Sequence, residues 1–149
     1  HILTPAGYLA PADPLIPFYL GLSYSNLKDF REAKNYLELA SGLSHPWYMS
    51  AIYRNLAQVH GFLREFPQAM KSYKKILELD PSDHEVLFEM ATTSEEYIRD
   101  KTIAYRYYRQ YLEKAGKGAI NEAYARSRMS KIREELFFDN SSDILILPD

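Results

Sequence analysis

The chain has 149 residues, of which 46% are hydrophobic, 14% aromatic and 26% charged, the balance of an ordinary folded protein with room for one sizeable core. Its formal net charge of -2 gives no global field toward nucleic acid or an anionic membrane. Without cysteine it forms no disulfide, thiolate metal site or cysteine nucleophile, and no apolar run approaches the roughly 20 residues that span a bilayer.

His1 to Asp13 carries Pro5 and Pro11 in a mildly apolar stretch, which argues against a continuous helix and for an irregular, packed lead-in. The sequence opens on His1 rather than Met and shows no export signal, which leaves the compartment open. A first helix is expected from Ile16 or Pro17, with Leu20, Tyr24 and Leu27 recurring on one face. After a turn at Lys28-Asp29, Asp29 and Glu32 have capping-box spacing, and a second helix buries Ala33, Leu37 and Ala40. Gly42 stands where a helix end favours a left-handed residue, and Ser44 is placed to cap the next helix.

A third helix is expected over Trp47 to Leu63, burying Ile52, Tyr53, Leu56, Ala57 and His60. Pro67 falls in the first turn of a fourth, which turns Ala69, Tyr73, Ile76 and Leu77 inward and stops at Pro81. Ser82 and Glu85 suggest a capping box for a fifth helix through Leu87, Met90, Ala91 and Ser94. Asp100 caps a sixth, with Ala104, Tyr108, Tyr111 and Leu112 inward, up to Gly116. A seventh, from about Ala119 to Phe138, steps through Ala125, Met129, Ile132 and Leu136 and has no hairpin partner, as expected of a helix that closes a stack. The last residues, Asp139 to Asp149, read as a polar linker and a short apolar patch.

Small residues recur with one period. Gly21, Ala57 and Ala91 are 36 and 34 apart (57−21, 91−57), and Ala33, Ala69 and Ala104 are 36 and 35 apart (69−33, 104−69). A larger side chain at such points would hold paired helices apart. The clearest unit is Tyr53-x2-Leu56-Ala57-x2-His60, then Ala69-x3-Tyr73 and Pro81. Before it come Leu20-Gly21-x2-Tyr24 and Ala33-x3-Leu37, with Pro17 at the opening aromatic position. After it come Leu87-x2-Met90-Ala91-x2-Ser94 and Ala104-x3-Tyr108, with one extra residue between the helices (104−91 is 13, against 12).

This pattern resembles the tetratricopeptide repeat family. The resemblance implies an all-α fold, a right-handed α-solenoid of three helix-turn-helix hairpins (about 14–43, 44–81 and 82–116) plus a C-terminal capping helix (about 119–138). It also implies a non-catalytic scaffold for a peptide or partner protein, whose concave groove is lined by the first helix of each hairpin. On that geometry the groove residues are Phe18, Tyr19, Leu22, Asn26, Arg54, Asn55, Gln58, Phe62, Phe88, Glu89 and Thr92. Asparagine and glutamine can bond both the C=O and the N–H of a peptide, Arg54 offers a fork for a carboxylate, and the phenylalanines offer apolar anchors. Some members grip a terminal carboxylate with lysine and asparagine; here Leu22 and Gln58 stand at asparagine positions and Phe18 and Phe88 at lysine positions, so that clamp is incomplete.

Other readings follow from the residues. From Tyr97 to Phe138 ten basic residues face five acidic ones, and the run Tyr105-Arg106-Tyr107-Tyr108-Arg109-Gln110-Tyr111 mixes cations with aromatics. With Tyr108 and Tyr111 in the core, only Tyr105 and Tyr107 are left to point outward, which favours a solvated basic face over a nucleic-acid surface. Self-association, or service as one segment of a longer protein, stays open. His1, His45, His60 and His84 have no metal-sharing spacing, and His60 reads as a buried, hydrogen-bonded ring in a tyrosine position. No cofactor loop, metal dyad or nucleophile with its base stands out, so no enzyme activity and no cofactor is expected.

Overall fold

The computed structural model describes residues 13, 15–43 and 48–138, and every structural statement below concerns these. They form seven helices and no strand: α1 Leu15–Asn26, α2 Phe30–Leu43, α3 Met49–Phe62, α4 Phe66–Leu79, α5 Glu85–Tyr97, α6 Lys101–Ala115 and α7 Glu122–Phe138. The lead-in over residues 1–12, the cap expected at Ser44, the helix start at Trp47 and the tail over residues 139–149 lie outside the described residues. By packing, the chain divides into two compact units, His1–Asp80 and Pro81–Asp149.

The first unit holds two helical hairpins, α1 with α2 and α3 with α4, and α2 also packs on α3. Asp13 starts α1, its Oδ1 accepting from the Leu15 N–H at 2.9 Å. Both hairpins turn through the same device. Asn26 and Phe62 end their helices, and Lys28 and Arg64 then adopt left-handed backbone with φ 61°. In the first turn Lys28 N–H bonds Ser25 C=O (3.0 Å) and Asp29 N–H bonds Tyr24 C=O (2.9 Å). In the second, Arg64 N–H bonds Gly61 C=O (3.0 Å) and Glu65 N–H bonds His60 C=O (2.8 Å). This is the paired Schellman arrangement, which satisfies the last carbonyls of a helix. Gly42, by contrast, lies inside α2 and does not have positive φ, so the expected left-handed stop there is corrected: the helix runs on to Leu43.

Among the described residues, two clusters contribute to the core of this unit. Ala33, Leu37, Leu56 and Val59 form one, with Phe18, Tyr24, Phe30, Tyr53 and Leu63 packed against it. Ala40, Tyr48 and Ile52 form the other, with Leu15 and Phe18 against it. A large apolar side chain contributes roughly 1.5–3 kcal/mol when fully removed from water. The inward face of α1 differs from expectation: Pro17 and Gly21 are buried, whereas Leu20 and Leu27 are exposed, Leu27 to 75%. Apolar residues run round all sides of α1, so spacing alone does not choose the face; the fit of Gly21 against α2 does. A Cβ on Gly21 would sit 2.7 Å from Leu37 Cγ. Glu65 ties the hairpins together, accepting from Lys34 Nζ at 2.9 Å and bonded to the ring of His60 at 2.7 Å.

In the second unit α5 pairs with α6, and α7 packs on α6. The α5–α6 turn runs through extended Ile98 and Asp100 instead of a left-handed residue. Asp100 Oδ1 then caps α6, accepting from Thr102 N–H (3.0 Å) and Oγ1 (2.6 Å). His84 occupies the N-cap position of α5 with no side-chain cap bond of its own, and the Glu85 carboxylate, expected to reach back to Ser82, bonds Tyr111 and Asn121. Tyr105, Tyr108 and Tyr111 are all fully buried, which corrects the expectation that Tyr105 faces out. Each hydroxyl has a partner: Arg133 donates to Tyr105 (2.7 Å), Tyr108 donates to Glu95 (2.8 Å), and Tyr111 donates to Glu85 (2.8 Å). A phenol at these sites fills volume and satisfies a polar group that would otherwise be costly to bury.

Candidate functional site

Within the first unit, the first helices of the two hairpins carry equivalent positions. Phe18, Tyr19, Leu22 and Asn26 on α1 match Arg54, Asn55, Gln58 and Phe62 on α3, each 36 residues on (54−18, 55−19, 58−22, 62−26). Tyr19, Asn26, Gln58 and Phe62 are exposed, and Leu22, Arg54 and Asn55 are half-buried. Phe18 is drawn into packing, since it touches both core clusters, and Tyr19 lies over it with ring centroids 5.8 Å apart. Asn55 Nδ2 donates to Ala51 C=O one turn back (2.8 Å), which occupies one of its two amide donors. Phe62, 55% exposed, stacks on Phe30 at 4.5 Å with an 11° tilt, so one ring face is already covered.

Phe88, Glu89 and Thr92 belong to the second unit and are half-buried. Phe88 sits among three tyrosines, with centroids 6.0 Å from Tyr108, 5.5 Å from Tyr111 and 5.5 Å from Tyr124. Tyr124 comes from α7, so the helix that follows the last hairpin also covers the aromatic on α5. Thr92 Oγ1 is engaged with the Glu89 carbonyl at 3.0 Å. Next to it a cleft of about 300 Å³ is lined by Thr92, Glu95, Glu96, Lys101, Tyr124 and Arg128.

Glu95 is the electrostatic centre of that cleft. Both Nε and a terminal nitrogen of Arg128 donate to its Oε1, Tyr108 donates to Oε2, and Lys101 Nζ donates to its backbone carbonyl. Burial alone would raise its carboxyl, but the bonds from Arg128 and Tyr108 outweigh this and hold it below the ordinary 4.5. Burial and then the Glu95 carboxylate push the Tyr108 hydroxyl far upward, so it remains a donor. At the other end of α5, Glu85 accepts from Asn121 Nδ2 (2.8 Å), and Tyr111 Oη accepts from Asn121 N–H (3.1 Å). In the first unit Lys34, and after it His60, lowers the Glu65 carboxyl.

The pairs Tyr108–Glu95, Arg128–Glu95 and Asn121–Glu85 span 13 to 36 residues along the chain and were not legible as pairs; Glu95-Glu96 in particular offers no spacing that points to Arg128. Among the described residues no group of three metal-ligating side chains converges, and no helix is long and apolar enough to cross a membrane.

Helical hairpins repeated every thirty-odd residues, packed through small buried residues and without strands among the described residues, define an all-α helical-repeat protein. Residues 19–44 and 50–83 match the family model described as tetratricopeptide repeat. The two matched stretches fall on α1–α2 and α3–α4 and support a tetratricopeptide-repeat family for these two hairpins. A search of curated protein sequences found no match to it. Tetratricopeptide repeats are in general protein–protein interaction modules and typically non-catalytic scaffolds.

Proposed function

We propose that this chain is an adaptor that holds a peptide or a partner's helix against the first helices of its hairpins, and that in the first unit the contact is made by Tyr19, Leu22, Asn26, Arg54, Asn55, Gln58 and Phe62. The observation that carries this reading is what α1 and α3 leave open, with Asn26 and Phe62 exposed at equivalent positions. Within two stretches one repeat apart, a tyrosine, two carboxamides and a phenylalanine remain open to solvent while other faces of both helices are buried. A preformed surface of this kind loses little entropy on docking. Phe18 packs on both core clusters, and within the second unit Thr92 lines the Glu95 cleft while Phe88 packs among three tyrosines.

The test places a photo-crosslinking amino acid at Tyr19 or Gln58, with exposed Lys74 on α4 as the control position. The partner should crosslink from positions 19 and 58 and not from 74, and Tyr19→Ala with Gln58→Ala should weaken its capture at least tenfold at an unchanged melting temperature. Equal capture by that double variant removes the assignment.

A further inference from the structure

A second surface lies away from α5. Between α6 and α7 runs a cleft of about 430 Å³, lined by Arg109, Leu112 and Glu113 of α6 and by Arg126, Met129, Ser130 and Arg133 of α7. Its volume falls in the range of ordinary ligand clefts, roughly 300–1,000 Å³. We propose that this cleft docks an acidic amphipathic helix of a partner protein.

The charge pattern supplies the first reason. Three guanidinium groups border the cleft against one carboxylate, Glu113, which is held by Arg109 on its own helix at 3.0 Å. Arg126 pairs within α7, with Glu122, also at 3.0 Å. Both join neighbouring turns of one helix near the surface, with Glu122 half-buried, and such pairs are worth only about 0.3–0.5 kcal/mol, so an incoming carboxylate can replace them at little cost. Arg133 is anchored differently: its donation to buried Tyr105 fixes the guanidinium at the rim.

Spacing supplies the second reason. Arg126, Met129 and Arg133 follow one face of α7, and the two arginines are seven residues apart (133−126), or about 10 Å at the helical rise. Met129 lies between them on α7 and Leu112 lines the cleft from α6, which gives apolar lining with an arginine to either side along α7. A single small anion reaches one arginine only. A helix with carboxylates at positions i and i+7 and leucines at i+3 and i+4 reaches both while laying its apolar residues on that lining, as a ridge enters the groove between two packed helices. A single-stranded nucleic acid fits less well, because among the described residues no aromatic that would stack on bases lines the cleft, and Tyr105 and Tyr108 of α6 are buried. This docking mode is independent of the surface proposed on α1 and α3.

The experiment uses the full chain and a fluorescein-labelled synthetic helix with glutamates at i and i+7 and leucines at i+3 and i+4, read by anisotropy. Saturable binding is expected, weakened by salt. It should fall at least tenfold in Arg109→Glu with Arg126→Glu, and similarly when the peptide's leucines become serines. Circular dichroism of the variant should match the parent, since both residues lie at the surface. The proposal is overturned by no binding, by equal binding of the charge-reversed variant, by binding of a single-stranded oligonucleotide but not the peptide, or by a mass that doubles with concentration and reverts in the variant, which would assign the cleft to a second copy. Peptide binding only after removal of residues 139–149 would assign the cleft to the chain's own tail and overturn it too.

Discussion

Gly21→Ala isolates the contact that sets how α1 meets α2. A β-carbon there would lie 2.7 Å from Leu37 Cγ, 2.9 Å from Leu37 Cδ2 and 3.3 Å from the Ala33 carbonyl oxygen. Ordinary carbon contacts sit at about 3.5–4.0 Å. Leu37 has no free direction to yield, being fully buried among Ala33, Leu56 and Val59. Overpacking of this kind costs about 1–3 kcal/mol. Against it stands the gain of about 1 kcal/mol for alanine over glycine inside a helix. The net expectation is a loss of up to about 2 kcal/mol. Leu37→Ala alone should cost about 2–5 kcal/mol, but it removes both clashing carbons. In that background Gly21→Ala should change sign and stabilise by about 1 kcal/mol. The four chains, unfolded in urea and followed by helical circular dichroism, give the coupling directly; an osmolyte common to all four keeps the weakest one folded. Gly21→Ala stabilising equally in both backgrounds would refute close approach as the reason for the small residue.

Other perturbations follow from single observations. Lys28→Gly should stabilise by up to about 1 kcal/mol, because Lys28 is exposed at φ 61° and glycine enters that region without steric cost; an unchanged or lower urea midpoint contradicts the turn geometry. Gly42→Ala should also stabilise, by at most about 1 kcal/mol, since its new Cβ meets open space within α2, and thermal unfolding would show it. Tyr111→Phe keeps the ring but strips Glu85 and the Asn121 N–H of one partner each, with an expected loss of about 1–3 kcal/mol in chemical denaturation. The acid limb should respond to Glu65 and Glu95, both held below 4.5. Their stabilisation is complete above the ordinary carboxylate range and is lost as pH falls through the lowered folded values. The gap in melting temperature between the parent and Glu65→Gln with Glu95→Gln should therefore close on acidification; a gap that widens would reverse the sign.

The recurrence of Gly21, Ala57 and Ala91 with Ala33, Ala69 and Ala104 was enough to place the hairpins, and all six residues are buried. That much is local: the sizes of side chains at a fixed period decide where two helices can touch, whatever the rest of the chain does. The α1 face, the buried Tyr105 and the left-handed Lys28 and Arg64 were decided elsewhere. Leu20 and Gly21 are neighbours on a helix apolar on all sides, and only the presence of Leu37 beneath Gly21 turns one inward and the other out. Tyr105 is interior because α7 lies on α6 and brings Arg133 to its hydroxyl, a meeting 28 residues apart in sequence. The same docking carries Tyr124 onto Phe88 and Arg128 onto Glu95, converting part of an expected open face into packed side chains. Periodicity records which residues of a helix share a side; which side is covered depends on the element that arrives there, and that depends on the tertiary fold.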